Sequence, residues 1–470
     1  MEIINDSQKE NEPISPIKIN NNILLINIHQ YLYHLFPHQI GLAYMLTDGN
    51  SLDSDFLLQT PNVWGKTSSE VPIFAGFHIA KQITALIETA EQFIDITTLQ
   101  PFPDGAFFRA IQDGLEAISK KNKKITVRIL VGWPPLQRGS NQHDYLESLI
   151  QPFESSKNLS IYVAAQRNND LTWNHSKIIA VDGKKAIIGG QNLWEANYLG
   201  PYPVHDLNVK LNGPMVFFFH KFIDVIWQNV ATYKTSTWKS VFWSAATGIQ
   251  KKYLTESVLP NPINVGKIKI LGAGRYWDSN SRAADKAFIY CFENAFKSIY
   301  ISQMDLLFGF GKANIHWTEG INAIVNAIVR GVTVKIVISD NEGKASATLD
   351  ESSNKSTSYS YSTQVKTFDA ICKILNEVSK KDRIIRGKLE VAVLRFGPSS
   401  IWRNGWEFAN HAKFTMIDEQ LFYIGSENLY PSDLIEYGVF IEDVDAVTKI
   451  KNDYWNPLWD WSKTTILAYP

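Results

Sequence analysis

A chain of 470 residues is longer than one hydrophobic core usually supports, which points to two domains or two fused halves. Hydrophobic residues make up 45% and charged residues 20% of it, as in a folded globular protein rather than a disordered one. With 46 Lys+Arg against 47 Asp+Glu there is no overall attraction for a polyanion, so nucleic acid is not expected as the main partner.

The chain begins MEIINDSQKENEPISP, without the basic start and apolar stretch of a secretory signal. A signal already removed, or an export route that needs none, leaves the same sequence. Localisation therefore stays open between a secreted, effector-like or toxin-like protein and a cytoplasmic one. The first apolar run, Ile23–Ile26, is broken by Asn27, far short of the roughly 20 residues that span a bilayer. A soluble chain is expected. His29, His34 and His38 have roughly helical spacing but no Cys or Glu partner, and Cys291 and Cys372 belong to no ligand spacing, so no metal is expected. Residues 1–60 are set apart as an N-terminal extension.

From residue 61 to 254 a first half unfolds in order. A helical pattern from His78 runs into the strand FIDITTLQ at Phe93. Another helix precedes KITVRILVGW at Lys124, and LSIYVAA follows at Leu159. Then comes NHSKIIAVDGKKAIIGGQN at Asn174, two β-rich runs around Asp-Gly, which reads as a hairpin. GPMVFFFHKFIDVIWQN closes the half with a helix. Residues 255–267, TESVLPNPINVGK, have the Pro/Asn/Gly character of a linker.

Residues 268–470 repeat this order. RAADKAFIYCFENAFK at Arg282 runs into SIYISQMD, followed by VTVKIVISD at Val332, LEVAVLR at Leu389, NHAKFTMIDEQLFYIGSEN at Asn410 and a Trp-rich closing helix. Helices alternating with buried strands imply an α/β fold with parallel or mixed sheets. The copies stand about 205 residues apart at the first helix and about 236 at the motif, so the second carries an insertion. It falls at the Ser/Thr-rich stretch 341–363, which reads as a mobile loop at the edge of a cleft.

The chemistry lies in the two matched motifs. His175 and Lys177 are two apart on a predicted strand and so share a face, and Asn192 follows Gly189-Gly190. His411, Lys413 and Asn428, after Gly425-Ser426, repeat the set. Imidazole, ammonium and amide together suit a phosphate: the ammonium neutralises non-bridging oxygens, the amide donates, and glycine allows close approach. Two such histidines can divide phosphodiester cleavage between nucleophile and acid. Each needs its other ring nitrogen anchored, and Asp206 and Glu436, each at the head of a hydrophobic strand, are the candidate anchors. Asp182 and Asp418 sit in the hairpin turns, where Asp is favoured locally.

Other residues are read as walls of the pocket. Trp173 and Trp194 flank the phosphate-binding residues in sequence and are candidates to cage a cationic head group. Trp402 and Trp406 can be read the same way. Two loops after strands are apolar: Phe102, Phe107 and Phe108 in one, Leu307, Phe308 and Phe310 in the other. They are expected to form lips that reach a lipid surface, Phe308 and Phe310 lining the pocket. GAGR at Gly272 lacks the third glycine of a dinucleotide fingerprint and is set aside.

The two HxKxxxxD motifs resemble those of the phospholipase D superfamily. TWNHSKIIAVDGKKAIIGGQNLWEANYLG and HAKFTMIDEQLFYIGSENLYPSDLIEYG are most similar to the active-site segments of secreted, actinomycete-type bacterial enzymes. The resemblance implies two pseudo-twofold-related α/β/α sandwich domains, with the active site at their interface. It implies hydrolysis of phosphatidylcholine or related lipids to phosphatidic acid through a phosphohistidine, with transfer to other alcohols. By the same resemblance His175 is the nucleophile and His411 the acid, while Lys177, Lys413, Asn192 and Asn428 bind phosphate. Asp206 and Glu436 orient the imidazoles, though Glu436 stands where Asp is expected. No cofactor is implied, and a monomer acting on phospholipid at a membrane surface is expected. A phosphatidyltransferase making cardiolipin or phosphatidylserine, and a nuclease of the same superfamily, are the alternatives.

Overall fold

The computed structural model describes residues 24–469 except 74, 135–141, 170–171, 233–240, 245–253, 278–280, 311–312, 340–362 and 382–383. The insertion expected as a loop lies almost wholly outside the described residues.

Among the described residues, two mixed sheets of nine strands each form the frame. In the first, Leu159–Asn169, Ile125–Gly132 and Phe93–Leu99 run parallel; Ile178–Val181, Lys185–Gly189 and Asp206–Asn212 continue antiparallel. In the second, Lys388–Val393, Thr333–Ile338 and Ser298–Ser302 are parallel, and Phe414–Ile417, Leu421–Gly425 and Glu436–Glu442 follow antiparallel. The same six-strand order in both sheets is the duplication seen in the repeated sequence. The central parallel strands Phe93–Leu99, Ile125–Gly132 and Ser298–Ser302 are almost fully buried on both faces, which explains their largely apolar runs.

The edges are built differently. Leu57–Thr60 pairs with Asp206–Asn212 at the edge of the first sheet. Tyr44–Asn50 pairs with Ile268–Arg275, which in turn pairs with Glu436–Glu442 in the second. The segment set apart as an extension thus supplies one strand to each sheet. Helix Leu24–Leu35 buries Leu24, Leu25, Ile28 and Leu32 in the core of the second half. Its apolar residues at helical spacing mark such a docking face, but nothing in the duplicated pattern predicts it.

Helix Met215–Thr232 lies between the sheets and touches strands of both. Its residues Met215, Phe219, Phe222, Ile223, Ile226 and Trp227 are buried in one hydrophobic core that joins the two halves. A second core fills the outer face of the first sheet, beneath helices Phe77–Glu88 and Gly105–Ser119. Each hairpin turn is held by its aspartate. Asp182 accepts from the backbone N–H groups of Glu91, Gln92 and Phe93, and Asp418 from those of Phe296, Lys297 and Ser298. Both adopt left-handed backbone, φ 55° and 53°, which Asp tolerates better than most residues. They clamp hairpin to helix–strand corner and stand outside the chemistry.

Candidate active site

The His-x-Lys segments do not lie on strands, as simple alternation predicts. His175–Lys177 and His411–Lys413 are extended but irregular backbone leading into Ile178–Val181 and Phe414–Ile417. The reason is pairing with the opposite half. His175 N donates to Ile435 O (2.7 Å) and Ile435 N to Trp173 O (3.0 Å), while His411 N donates to His205 O (2.7 Å) and His205 N to Ala409 O (2.9 Å). Each motif is docked beside the acid-bearing strand of the other half.

The side chains repeat this exchange. His175 Nδ1 is 2.8 Å from Glu436 Oε1, and His411 Nδ1 is 2.7 Å from Asp206 Oδ2. Every imidazole therefore takes its carboxylate from the other half. A carboxylate acceptor at Nδ1 makes that nitrogen the protonated one, which directs the lone pair of Nε2 away from the carboxylate. Lys177 Nζ and Lys413 Nζ fold back to donate to the carbonyls of His175 and His411, both at 2.5 Å. Behind them, a Cβ on Gly190 would meet Asp206 Oδ1 at 2.2 Å and Lys413 Cδ at 3.0 Å, so only glycine fits the approach between halves.

All eight residues are buried, none more than 5% exposed, and the electrostatics follow. Burial, reinforced by Lys177 and Lys413, holds His175 well below the usual imidazole range. For His411 burial and Lys413 outweigh the pull of Asp206, and its value falls to about 4. Lys177 lies well below the usual ammonium range through burial and the nearby Lys413, and burial brings Lys413 to about 8. Burial pushes Glu436 up, against the opposing pull of Arg275, Lys177 and Lys413. The site is thus short of negative charge, and an anionic phosphodiester would stabilise both lysines and an imidazolium. Asn192 Oδ1 and Asn428 Oδ1 are buried without a partner among the described residues. These oxygens only accept, so a phosphate oxygen would call on the Nδ2 groups, of which that of Asn428 lies 3.4 Å from Glu436 Oε1.

This donor set repels cations. Among the described residues one group, His143, Asp144 and Glu147, has ligand atoms within 4.8 Å of one another; it contains none of the site residues.

Several expected pocket residues are elsewhere. Trp194 is 5% exposed, belongs to the outer core of the first half and donates from Nε1 to Pro101 O (3.1 Å). Its place next to Asn192 in sequence does not make it a pocket wall, because the short helix Glu195–Tyr198 that begins there turns it inward. Phe102 stacks on Tyr145 at 4.4 Å and Phe107 is fully buried, so the first apolar lip is core. Phe108 is partly buried against the same core. Leu307 is buried as well, and the side chains of Phe308 and Phe310, on a hairpin with Ala313–His316, lie outside the described residues. Trp173 is half-buried, with Nε1 unpartnered among the described residues. Trp402 packs on Phe396 and Phe408, and Trp406 meets Tyr202 edge-on at 5.9 Å.

Two neighbours of the site were not singled out from sequence. Tyr198 OH lies 3.2 Å from both Asp206 Oδ2 and His411 Nδ1. Arg275, the last residue of the discounted GAGR, is an ion-pair partner of Glu436. Neither belongs to a repeated motif, so only the folded arrangement reveals them.

A family model described as "Cardiolipin synthase, PLD-like domain" matches residues 288–459. A curated relative named phospholipase D, from Streptomyces antibioticus, is 27% identical over 497 residues, covering 93% of this chain and 87% of its own length. Among solved structures, phosphatidylserine synthase from Haemophilus influenzae Rd KW20 superposes with a TM-score of 0.59 at 13% identity, over 94% of this chain and 91% of that one. At that identity the likeness concerns the fold alone.

Proposed function

We propose that the chain is a phosphodiesterase of the phospholipase D superfamily, a reading supported by its likeness to a relative of that name and by the matching family model, and that it hydrolyses phosphatidylcholine or related glycerophospholipids to phosphatidic acid and a free head group. The observation that carries this reading is the exchanged pair of His–carboxylate contacts, 2.8 and 2.7 Å, with two lysines buried beside them. Likeness over most of the length of a relative named phospholipase D supplies the substrate class.

The division of labour is assigned by the family resemblance, since both histidines make the same kind of carboxylate contact. Nε2 of neutral His175 forms a bond to phosphorus as the bond to the head-group oxygen breaks, and Nε2–H of His411 gives that oxygen its proton. Lys177 and Lys413 neutralise the non-bridging oxygens as charge gathers on them, in a site where burial strengthens every such contact. His411, now neutral, takes a proton from water as its oxygen attacks phosphorus. The P–N bond breaks and both histidines regain their starting states. An alcohol in place of that water yields a phosphatidyl ester of the alcohol, so hydrolysis and transfer share one intermediate. No helix among the described residues is long and apolar enough to cross a membrane.

The test is mass spectrometry of products from mixed-lipid vesicles, with and without ethanol. Phosphatidic acid, joined by phosphatidylethanol when ethanol is present, is expected; cleavage of DNA alone in a parallel assay would sink the lipid reading. Since the lysines already supply positive charge, activity should survive EDTA.

A further inference from the structure

The duplication makes the two histidines alike, yet the strands flanking their carboxylates differ. Thr60 stands opposite Asp206 in the first sheet, and Arg275 stands opposite Glu436 at the equivalent position of the second. The residues before the two asparagines differ in the same sense: Gln191 before Asn192, Glu427 before Asn428. A neutral pair on one side is thus replaced by an ionic pair on the other.

The contacts give this difference a direction. Asp206 Oδ2 receives His411 and Tyr198 OH, and Oδ1 receives Leu207 N at 2.9 Å. Apart from His411, those donors are neutral. Glu436 divides its oxygens otherwise: Oε1 faces His175 and Asn428 Nδ2 (3.4 Å), while Oε2 is held by the Arg275 guanidinium. Arg275 is itself fixed by Ser432 Oγ (2.7 Å), Leu434 O (3.2 Å), Asp285 (2.8 Å) and Glu427 (3.3 Å), and it is 2% exposed. A carboxylate already paired with a buried cation offers an imidazolium less stabilisation than one paired with neutral donors.

We propose that Arg275 is a positioning residue that breaks the pseudo-twofold symmetry of the site. By drawing the charge of Glu436 away from His175 it keeps that imidazole the neutral, attacking one, and leaves His411 beside Asp206 to carry the proton. This rests on the phosphohistidine reading above. The other charged groups facing the pair do not reverse the order. Lys177 and Lys413 lower both histidines, and Arg275 adds to the lowering for His175, whereas Asp206 acts in the opposite direction on His411. Behind Arg275, Glu427 is itself pushed up by burial and by Glu436 and Asp285, with Arg275 and Arg282 opposing. Arg275 still turns its Nη2 to Glu436 Oε2, while its Nε is 3.3 Å from Glu427 Oε1.

The experiment is the pH profile of kcat on a short-chain phosphatidylcholine. In Arg275→Gln the acidic limb, set by the proton that must leave His175, should move up by about one pH unit. The alkaline limb, set by His411, should stay; Arg275→Lys should restore the acidic limb. Unmoved limbs in a cooperatively folding Arg275→Gln protein, or movement of the alkaline limb alone, would overturn the proposal. As a measurement independent of that variant's folding, the wild type is also titrated by NMR with 15N-labelled histidine in the presence of tungstate. His175 should remain neutral to lower pH than His411, and the reverse order would overturn the proposal. The NMR titration needs no turnover, so a wild type that hydrolyses no lipid would refute the functional reading while still reporting the order of the histidines.

Discussion

The two halves share six strands in one order and the same His, Lys and Asn, but they place their buried arginines differently. In the first half Arg128 sits among Asp95 and Asp224, both 2.7 Å away, over the ring of Phe93 at 4.8 Å. His220 and Ser257 complete that network, which ties the linker and the central helix to the sheet. In the second half the comparable charge is Arg275, moved to the flank of a site carboxylate. A duplicated scaffold thus uses one kind of ion cluster for cohesion and another beside its chemistry.

Substitutions can break this comparison at several strengths. The largest effect belongs to what the halves share. His175→Ala and His411→Ala should each lower kcat by about 10⁴-fold or more, but only the first should abolish an acid-labile phosphoenzyme on rapid quench. Next come the exchanged acids: Asp206→Asn and Glu436→Gln should cost on the order of 10²–10⁴-fold in kcat, since each leaves an imidazole misoriented. Equal loss with no change in pH dependence would count against cross-half orientation.

Arg128→Met should destabilise by about 3–5 kcal/mol, because it strands Asp95 and Asp224 in the core. Denaturant unfolding reads that loss, and the pH profile of kcat for the molecules that remain folded should be unchanged.

A smaller effect comes from Lys413. Its folded value of about 8 lies below the ordinary 10.5, so between those two pH values the unfolded chain binds more protons than the fold. The penalty is fully present below about pH 8 and is relieved as pH rises. Relative to Lys413→Met, the wild type should therefore gain stability from pH 8 to 10; a constant difference would refute the shift. Smallest is the response to ligand: tungstate at 100 times its Kd should stabilise the fold by about 2.7 kcal/mol, read as a rise in Tm that disappears in the Lys177→Met, Lys413→Met double variant.

Order of elements and chemistry of the motifs were legible in the sequence because both repeat. Helix and strand periods recur in the same order, and His, Lys, Gly and Asn recur within them, so chance is an inadequate explanation. Residues 24–60 were not legible in that way, since their strands complete edges that the two halves do not share. Trp194 was misread because nearness to Asn192 in the chain says nothing about the turn that buries it. Which carboxylate serves which histidine was decided only by the tertiary structure. A trailing acid follows each motif, but the interlock of Trp173–His175 with Ile435, and of Ala409–His411 with His205, sends each across the interface. The same holds for Arg275: cross-strand register, set by packing of the whole sheet, places it opposite Glu436, a neighbour that no local pattern encodes.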